Sequence, residues 1–169
     1  MTAGADDAPD ASRDDTEGRK GSAYPRVLLT AFLVLVCDQG TKTAALEYFG
    51  RGQHDIIEGV LSFDVSFNPG GVFGIGQSMP GLFLVATAIV IAALLVWVRN
   101  LEERSWAIPL GMVLGGGLGN ITDRVVRGFD GRVVDFIDLH VWPVFNVADM
   151  AIVIGVGIVL LLGLRAERR

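Results

Sequence analysis

Eighteen consecutive residues, Gly81 to Val98, carry no charged side chain. As a helix rising 1.5 Å per residue this run is about 27 Å long, close to the ~30 Å hydrocarbon thickness of a bilayer. Three more apolar blocks accompany it. The first starts near Tyr24 and resumes through Leu46, the third covers Trp106 to Ile121, and the fourth covers Val144 to Leu164. Half of the 169 residues are hydrophobic and the mean hydropathy is +0.48. Because that excess lies in four blocks rather than in short core strands, the chain reads as a membrane α-helical protein with four transmembrane helices. Residues 25–169 form the membrane domain. Residues 1–24, with six acids against three basic residues and no apolar periodicity, read as a disordered acidic tail.

The first block has two readings. Its uninterrupted core, Val27 to Val36, has the length of a signal-peptide segment with a small-residue cut near Ala45. Asp38, Gln39 and Lys42 between that core and the cut favour a retained helix instead, with Asp38 and Lys42 paired at i and i+4. Four spans place both termini on one side. Nine of the fourteen Lys and Arg residues fall in the tail, the Arg99–Arg104 loop and the C-terminus. The positive-inside rule therefore puts both termini in the cytoplasm, and the connections rich in aspartate face outward.

Residues 49–78 lie between the first two spans. Leu61, Phe63, Val65 and Phe67 alternate with Ser62, Asp64, Ser66 and Asn68, a period of two that predicts a strand, ended by the turn signal Asn-Pro-Gly-Gly. A small extracytoplasmic β-sheet between helices 1 and 2 is expected, its apolar face toward the lipid boundary. No internal repeat is visible, and no basic patch suggests nucleic acid. One cysteine, Cys37, and two distant histidines, His54 and His140, offer no ligand spacing, so no metal or other cofactor is expected.

The chemistry gathers at the outer ends of the third and fourth blocks. Asn146 and Asp149 are three apart and share a helix face, and Asn120 and Asp123, beside Arg124, repeat that spacing. Asp135 comes from the intervening loop, flanked by Val133, Val134 and Phe136. A carboxylate at membrane depth costs roughly 2.5–3.5 kcal/mol on insertion scales, so its default reading is functional. Two such groups brought close share one proton: the ionised member takes a proton from water while the protonated member polarises a carbonyl. Each residue also has a plainer reading. Asp149 suits a helix start, Asp135 a solvated loop, and Asp123 with Arg124 a helix-end pair. Asp38–Lys42 reads as mutual neutralisation, and Asn120 and Asn146 as hydrogen-bonding glue between helices.

Together these residues resemble the lipoprotein signal peptidases of bacteria, the type II signal peptidases. Asp-Gln-x-x-Lys is Asp38 to Lys42, and Asn-x-Gly-x-x-Phe-Gly is Asn68, Gly70, Phe73 and Gly74. Gly-Asn-x-x-Asp-Arg is Gly119 to Arg124, Val-Val-Asp-Phe is Val133 to Phe136, and Phe-Asn-x-Ala-Asp is Phe145 to Asp149. The likeness runs from about residue 26 to 164. It implies an aspartyl endopeptidase of the cell membrane, without cofactor, whose substrate is a prolipoprotein bearing diacylglycerol on the cysteine just after the scissile bond. Asp135 and Asp149 would be the catalytic pair. Asn68, Gly70, Asn120, Arg124 and Asn146 would hold substrate or the pair, and Asp38 and Lys42 would shape the first helix's part of the site. The family's two alanines after Gly70 are here Gly71 and Val72, a departure that bears on substrate preference.

Two other classes share some of these features. A presenilin-like protease needs Gly-x-Gly-Asp, and Gly117-Leu118-Gly119-Asn120 has asparagine in place of the acid. A small proton-coupled transporter with Asp38 and Asp149 as relays is the alternative, although such transporters show repeats and midplane sites.

Overall fold

The computed structural model describes residues 22–50, 52–70, 80–99, 101 and 103–168. The elements run α1 (Tyr24–Phe49), β1 (His54–Ile57), β2 (Leu61–Asn68), α2 (Pro80–Val98), a 3-10 turn (Arg104–Trp106), α3 (Ala107–Val126), β3 (Val133–Asp138) and α4 (Val147–Ala166). Most of the tail, together with Gly71, Val72, Phe73 and Gly74, lies outside the described residues.

By length and composition α1, Gly81–Val98 of α2, and α4 can each cross a membrane. Their outward faces are apolar and exposed, with Phe32 and Leu33 on α1, Val85 and Ile89 on α2, and Val153 and Leu160 on α4. That is the arrangement of side chains meeting lipid, and it makes the protein a multipass membrane protein. The remaining helix, α3, is less apolar because it carries five glycines, with Asn120, Asp123 and Arg124 in its second half. It is the central helix, with eleven of 20 residues buried. Its glycines explain how three neighbours reach it. A Cβ at Gly111 would strike Thr30 and the Val27 carbonyl of α1, one at Gly116 would strike the Ala148 carbonyl of α4, and one at Gly117 would crowd Ile91 of α2. Small residues here let the backbones approach. At the end of the molecule away from the sheet, Val27, Ala31, Ile91, Val98, Leu110 and Leu114 close the apolar core.

The sheet is antiparallel in the order β1-β2-β3. β2 covers the residues that alternate in the sequence, but the partners of its apolar side are aromatic. Phe63 meets Phe49 at 4.9 Å and Phe136 at 6.1 Å, and Phe67 meets Phe129 at 4.7 Å. The large apolar side chains left exposed in the hairpin are Ile56, Ile57, Val60 and Phe67.

β3 corrects the sequence reading. The sheet is not confined to the stretch between α1 and α2, and Asp135 stands on a strand rather than on a loop. Val133, Val134, Asp135 and Phe136 are all buried, so both faces of β3 are covered and the alternation that reveals a half-buried strand is missing. Beyond β3 the chain turns back, and Phe145 bridges to Ile137 through N–H···O contacts of 2.9 and 3.0 Å. That return sets Asn146, and the start of α4, beside Asp135.

Candidate active site

Asp135 and Asp149 reach one site from a strand and a helix. Asp135 pairs in register with Ser66 of β2 and is 2 % exposed. Its Oδ2 accepts from Asn68 Nδ2 at 2.9 Å and its Oδ1 from Asn146 Nδ2 at 2.6 Å. Asn68 is aimed by Gly70, whose N–H donates to Asn68 Oδ1 at 2.8 Å. Gly70 has φ of 119°, and a Cβ there would overlap the Phe83 ring of α2, so only glycine fits. Burial, helped by the nearby Asp149 carboxylate, pushes the Asp135 pKa up to about 7, against the opposing pull of Asn68, Asn146 and Lys42.

Asn146 is the N-cap of α4, and its side chain forms a reciprocal box with Asp149. Asp149 N donates to Asn146 Oδ1 at 2.9 Å, and Asn146 N donates to Asp149 Oδ2 at 3.4 Å. Asp149 Oδ1 accepts from Asn120 Nδ2 at 2.9 Å. The capping role weighed for Asp149 and its place in the site are therefore the same geometry, since the box holds the carboxylate at the helix mouth.

Behind the two aspartates lies a buried ion cluster. Asp38, Lys42 and Asp123 are each 0 % exposed. Lys42 Nζ spends its three donors on Asp38 Oδ2 (2.8 Å), Asp123 Oδ2 (2.8 Å) and Asn120 Oδ1 (3.0 Å). Arg127 adds the second cation, with Nε 2.9 Å from Asp123 Oδ1, and Gln39 bridges both acids. Two cations against two carboxylates, with every acid oxygen accepting, is how a buried charge set survives its desolvation.

Sequence reasoning missed part of this. It paired Asp123 with Arg124, which cannot face one another at i, i+1 on a helix. Asp123 turns to Lys42 and Arg127 instead, and the i, i+4 spacing of Asp123 and Arg127 was the available signal. Arg124 donates from Nη1 to the Asn120 carbonyl at 3.4 Å, while its Nε is buried with no hydrogen-bond partner among the described residues. An apolar cleft of about 320 Å³, walled by Leu139, Trp142, Phe145, Met150, Val153 and Ile154, opens beside Asp149.

The chain has relatives among known proteins. The family model described as signal peptidase (SPase) II matches residues 30–165. A lipoprotein signal peptidase of Streptomyces griseus is 40 % identical over 156 residues, covering 90 % of this chain and 79 % of that protein. One from Cupriavidus necator is 33 % identical over 169 residues, covering 94 % and 95 %. Two solved structures, each described as a bacterial membrane enzyme determined in meso, superpose with TM-scores of 0.75 and 0.70 at 27 % identity. They cover 85 % and 82 % of this chain and 90 % and 92 % of theirs. The chain belongs to the signal peptidase II family and is a peptidase of the aspartic type.

Proposed function

We propose that this protein cleaves signal peptides from diacylglyceryl-modified prolipoproteins, at the bond just before the lipidated cysteine, using Asp135 and Asp149 as its catalytic pair. The observation that carries the reading is Asn146. One side chain donates to Asp135 and caps the helix turn bearing Asp149, so a buried and a half-buried carboxylate share a site and disfavour double ionisation.

The chemistry follows from one shared proton. Protonated Asp135 donates a hydrogen bond to the scissile carbonyl, and ionised Asp149 takes a proton from water as its oxygen attacks the carbonyl carbon. The tetrahedral intermediate collapses by breaking the C–N bond, and the proton on Asp149 passes to the leaving amine. Asp135, having given its proton to the carbonyl oxygen, recovers it, so the pair ends as it began. Arg124 is close enough for its charge to favour the carboxylate forms, and its Nε, without a partner among the described residues, is a donor available to substrate. No third group is needed to activate the water. The cleft beside Asp149 offers apolar walls to the lipidated end of the substrate, whose acyl chains hold the bond at the membrane surface.

In this reading α3 crosses the bilayer with the three more apolar helices. Both termini are cytoplasmic, and the sheet and site lie at the outer face, in contact with membrane lipids. Membership of a peptidase family favours this reading over the proton-coupled transporter.

The test is cleavage of a diacylglyceryl prolipopeptide by purified protein in detergent, beside Asp135→Asn and Asp149→Asn. Cleavage before the lipidated cysteine, undiminished by a chelator and lost at least 10³-fold in both variants, is expected. A folded wild type that cuts no lipidated substrate, or a variant with near-normal turnover, sinks the reading.

A further inference from the structure

We propose that Asp38 and Asp123, joined through Lys42, are positioning residues that set the separation of Asp149 and Asp135. The proposal rests on the two-aspartate reading above and adds a role for residues that touch neither substrate nor the reacting carboxylates.

The geometry is a matched pair of backbone clamps. Asp38 Oδ1 accepts the N–H of Ala148, the residue immediately before Asp149, at 2.9 Å. Asp123 Oδ2 accepts the N–H of Val134, the residue immediately before Asp135, at 3.0 Å. The two clamping carboxylates are then tied to one atom, Lys42 Nζ, at 2.8 Å each. The same ammonium bonds Asn120 Oδ1 at 3.0 Å, and the other end of that amide bonds Asp149.

Neither clamp is incidental to its element. The first N–H groups of a helix have no partner within it, and α4 places one of them on an acid from α1. Val134 stands in a strand whose neighbour β2 pairs with it on one side only, which leaves its N–H free for α3. Two elements that are distant in sequence, one helical and one extended, are thereby referred to a common point with no exposed member. Gly119 belongs to the device, because a Cβ there would overlap the Asp38 carboxylate. Gln39 and Arg127 hold the outer sides of the two acids, so each carboxylate keeps one rotamer.

The experiment compares Asp38→Asn and Asp123→Asn, which keep an acceptor oxygen at the clamp, with Asp38→Ala and Asp123→Ala, which remove it. Steady-state cleavage of the lipidated prolipopeptide is measured together with hydrogen exchange of the segments holding Val134 and Ala148. Positioning requires that each alanine variant fall at least about tenfold below its asparagine counterpart in kcat, with KM within about threefold of wild type. The matching segment should lose exchange protection. Equal kcat in the asparagine and alanine variants would assign the acids a charge role alone and overturn the proposal. So would alanine variants of wild-type kcat whose amides stay protected. If the alanine variants do not fold, the asparagine pair decides. Retained protection with kcat within tenfold of wild type supports the clamps, and a loss beyond a hundredfold with protection retained refutes them. A wild type that never cleaves defeats the peptidase reading, while exchange still reports on the clamps.

Discussion

Asn146 donates to Asp135 at 2.6 Å while serving as N-cap of the helix that carries Asp149. On the proposed two-aspartate reading, stability and catalysis are therefore superimposed on one amide, and substitution can separate them. Asn146→Ala removes both functions. Loss of an N-cap costs about 0.5–2 kcal/mol, and loss of the Asp135 contact is expected to lower kcat by about a hundredfold. Asn146→Ser restores a capping oxygen but is too short to replace the amide donor. Its stability to denaturant should return toward wild type while its turnover stays low. Parallel recovery of both would show that the Asp135 contact is unimportant.

The raised pKa of Asp135 gives the protein a pH signature. Between the ordinary aspartate range and about 7, the folded state holds a proton at Asp135 that the unfolded chain has released. Stability therefore falls as pH rises through that window, and Asp135→Asn should flatten this part of the profile. Activity that needs one proton on the pair should fade on the alkaline side with an apparent value near 7, belonging to the pair rather than to one residue. Asn68 opposes the upward shift, so Asn68→Ala should move the alkaline limb to higher pH. A limb that stays in place or moves down would contradict this account.

How much of this was legible beforehand differs element by element. Gly81–Val98 was plain because nothing but a membrane or a deep core tolerates so long an uncharged run. β2 was readable from its period of two. β3 was not, because Val133 to Phe136 are buried on both faces and their partner strand lies some 65 residues earlier. The two aspartates, Asn120 and Asn146 stood out as polar groups at the ends of apolar runs, and the structure gathers them. The clamps were invisible, since Asp38 to Ala148 spans 110 residues and ends on a backbone N–H that has no sequence identity. Asp123 was assigned the wrong partner because adjacency in sequence stood in for adjacency on the helix surface.

Close packing about α3 yields a pair of contrasting glycine substitutions. A Cβ at Gly116 would meet the Ala148 carbonyl and the Ile152 side chain, so Gly116→Ala forces α4 away and should cost about 1–3 kcal/mol. Ala148 is also the residue clamped by Asp38, so activity should fall with stability. Gly157, also on α4, has nothing among the described residues within 4 Å of an added Cβ. Gly157→Ala should then gain roughly 0.5–1 kcal/mol from helix propensity and leave turnover unchanged. Denaturant titration of the two purified variants checks the ordering, and a destabilised Gly157→Ala would refute the packing described here.

The cleft beside Asp149 can be probed without touching the carboxylates. Val153 lies four residues after Asp149 on α4 and so shares its face, and it is one of the cleft's apolar walls. Its side chain is exposed, so enlarging it does not strain the core. Val153→Trp would fill much of a space of about 320 Å³. If the lipidated end of the substrate rests there, KM should rise at least tenfold while kcat changes little. That is the pattern expected when binding common to ground and transition states is removed. The penalty should shrink for substrates with shorter acyl chains, which need less of the cleft. An unchanged KM across chain lengths would place the lipid elsewhere on the protein, with the two-aspartate chemistry unaffected.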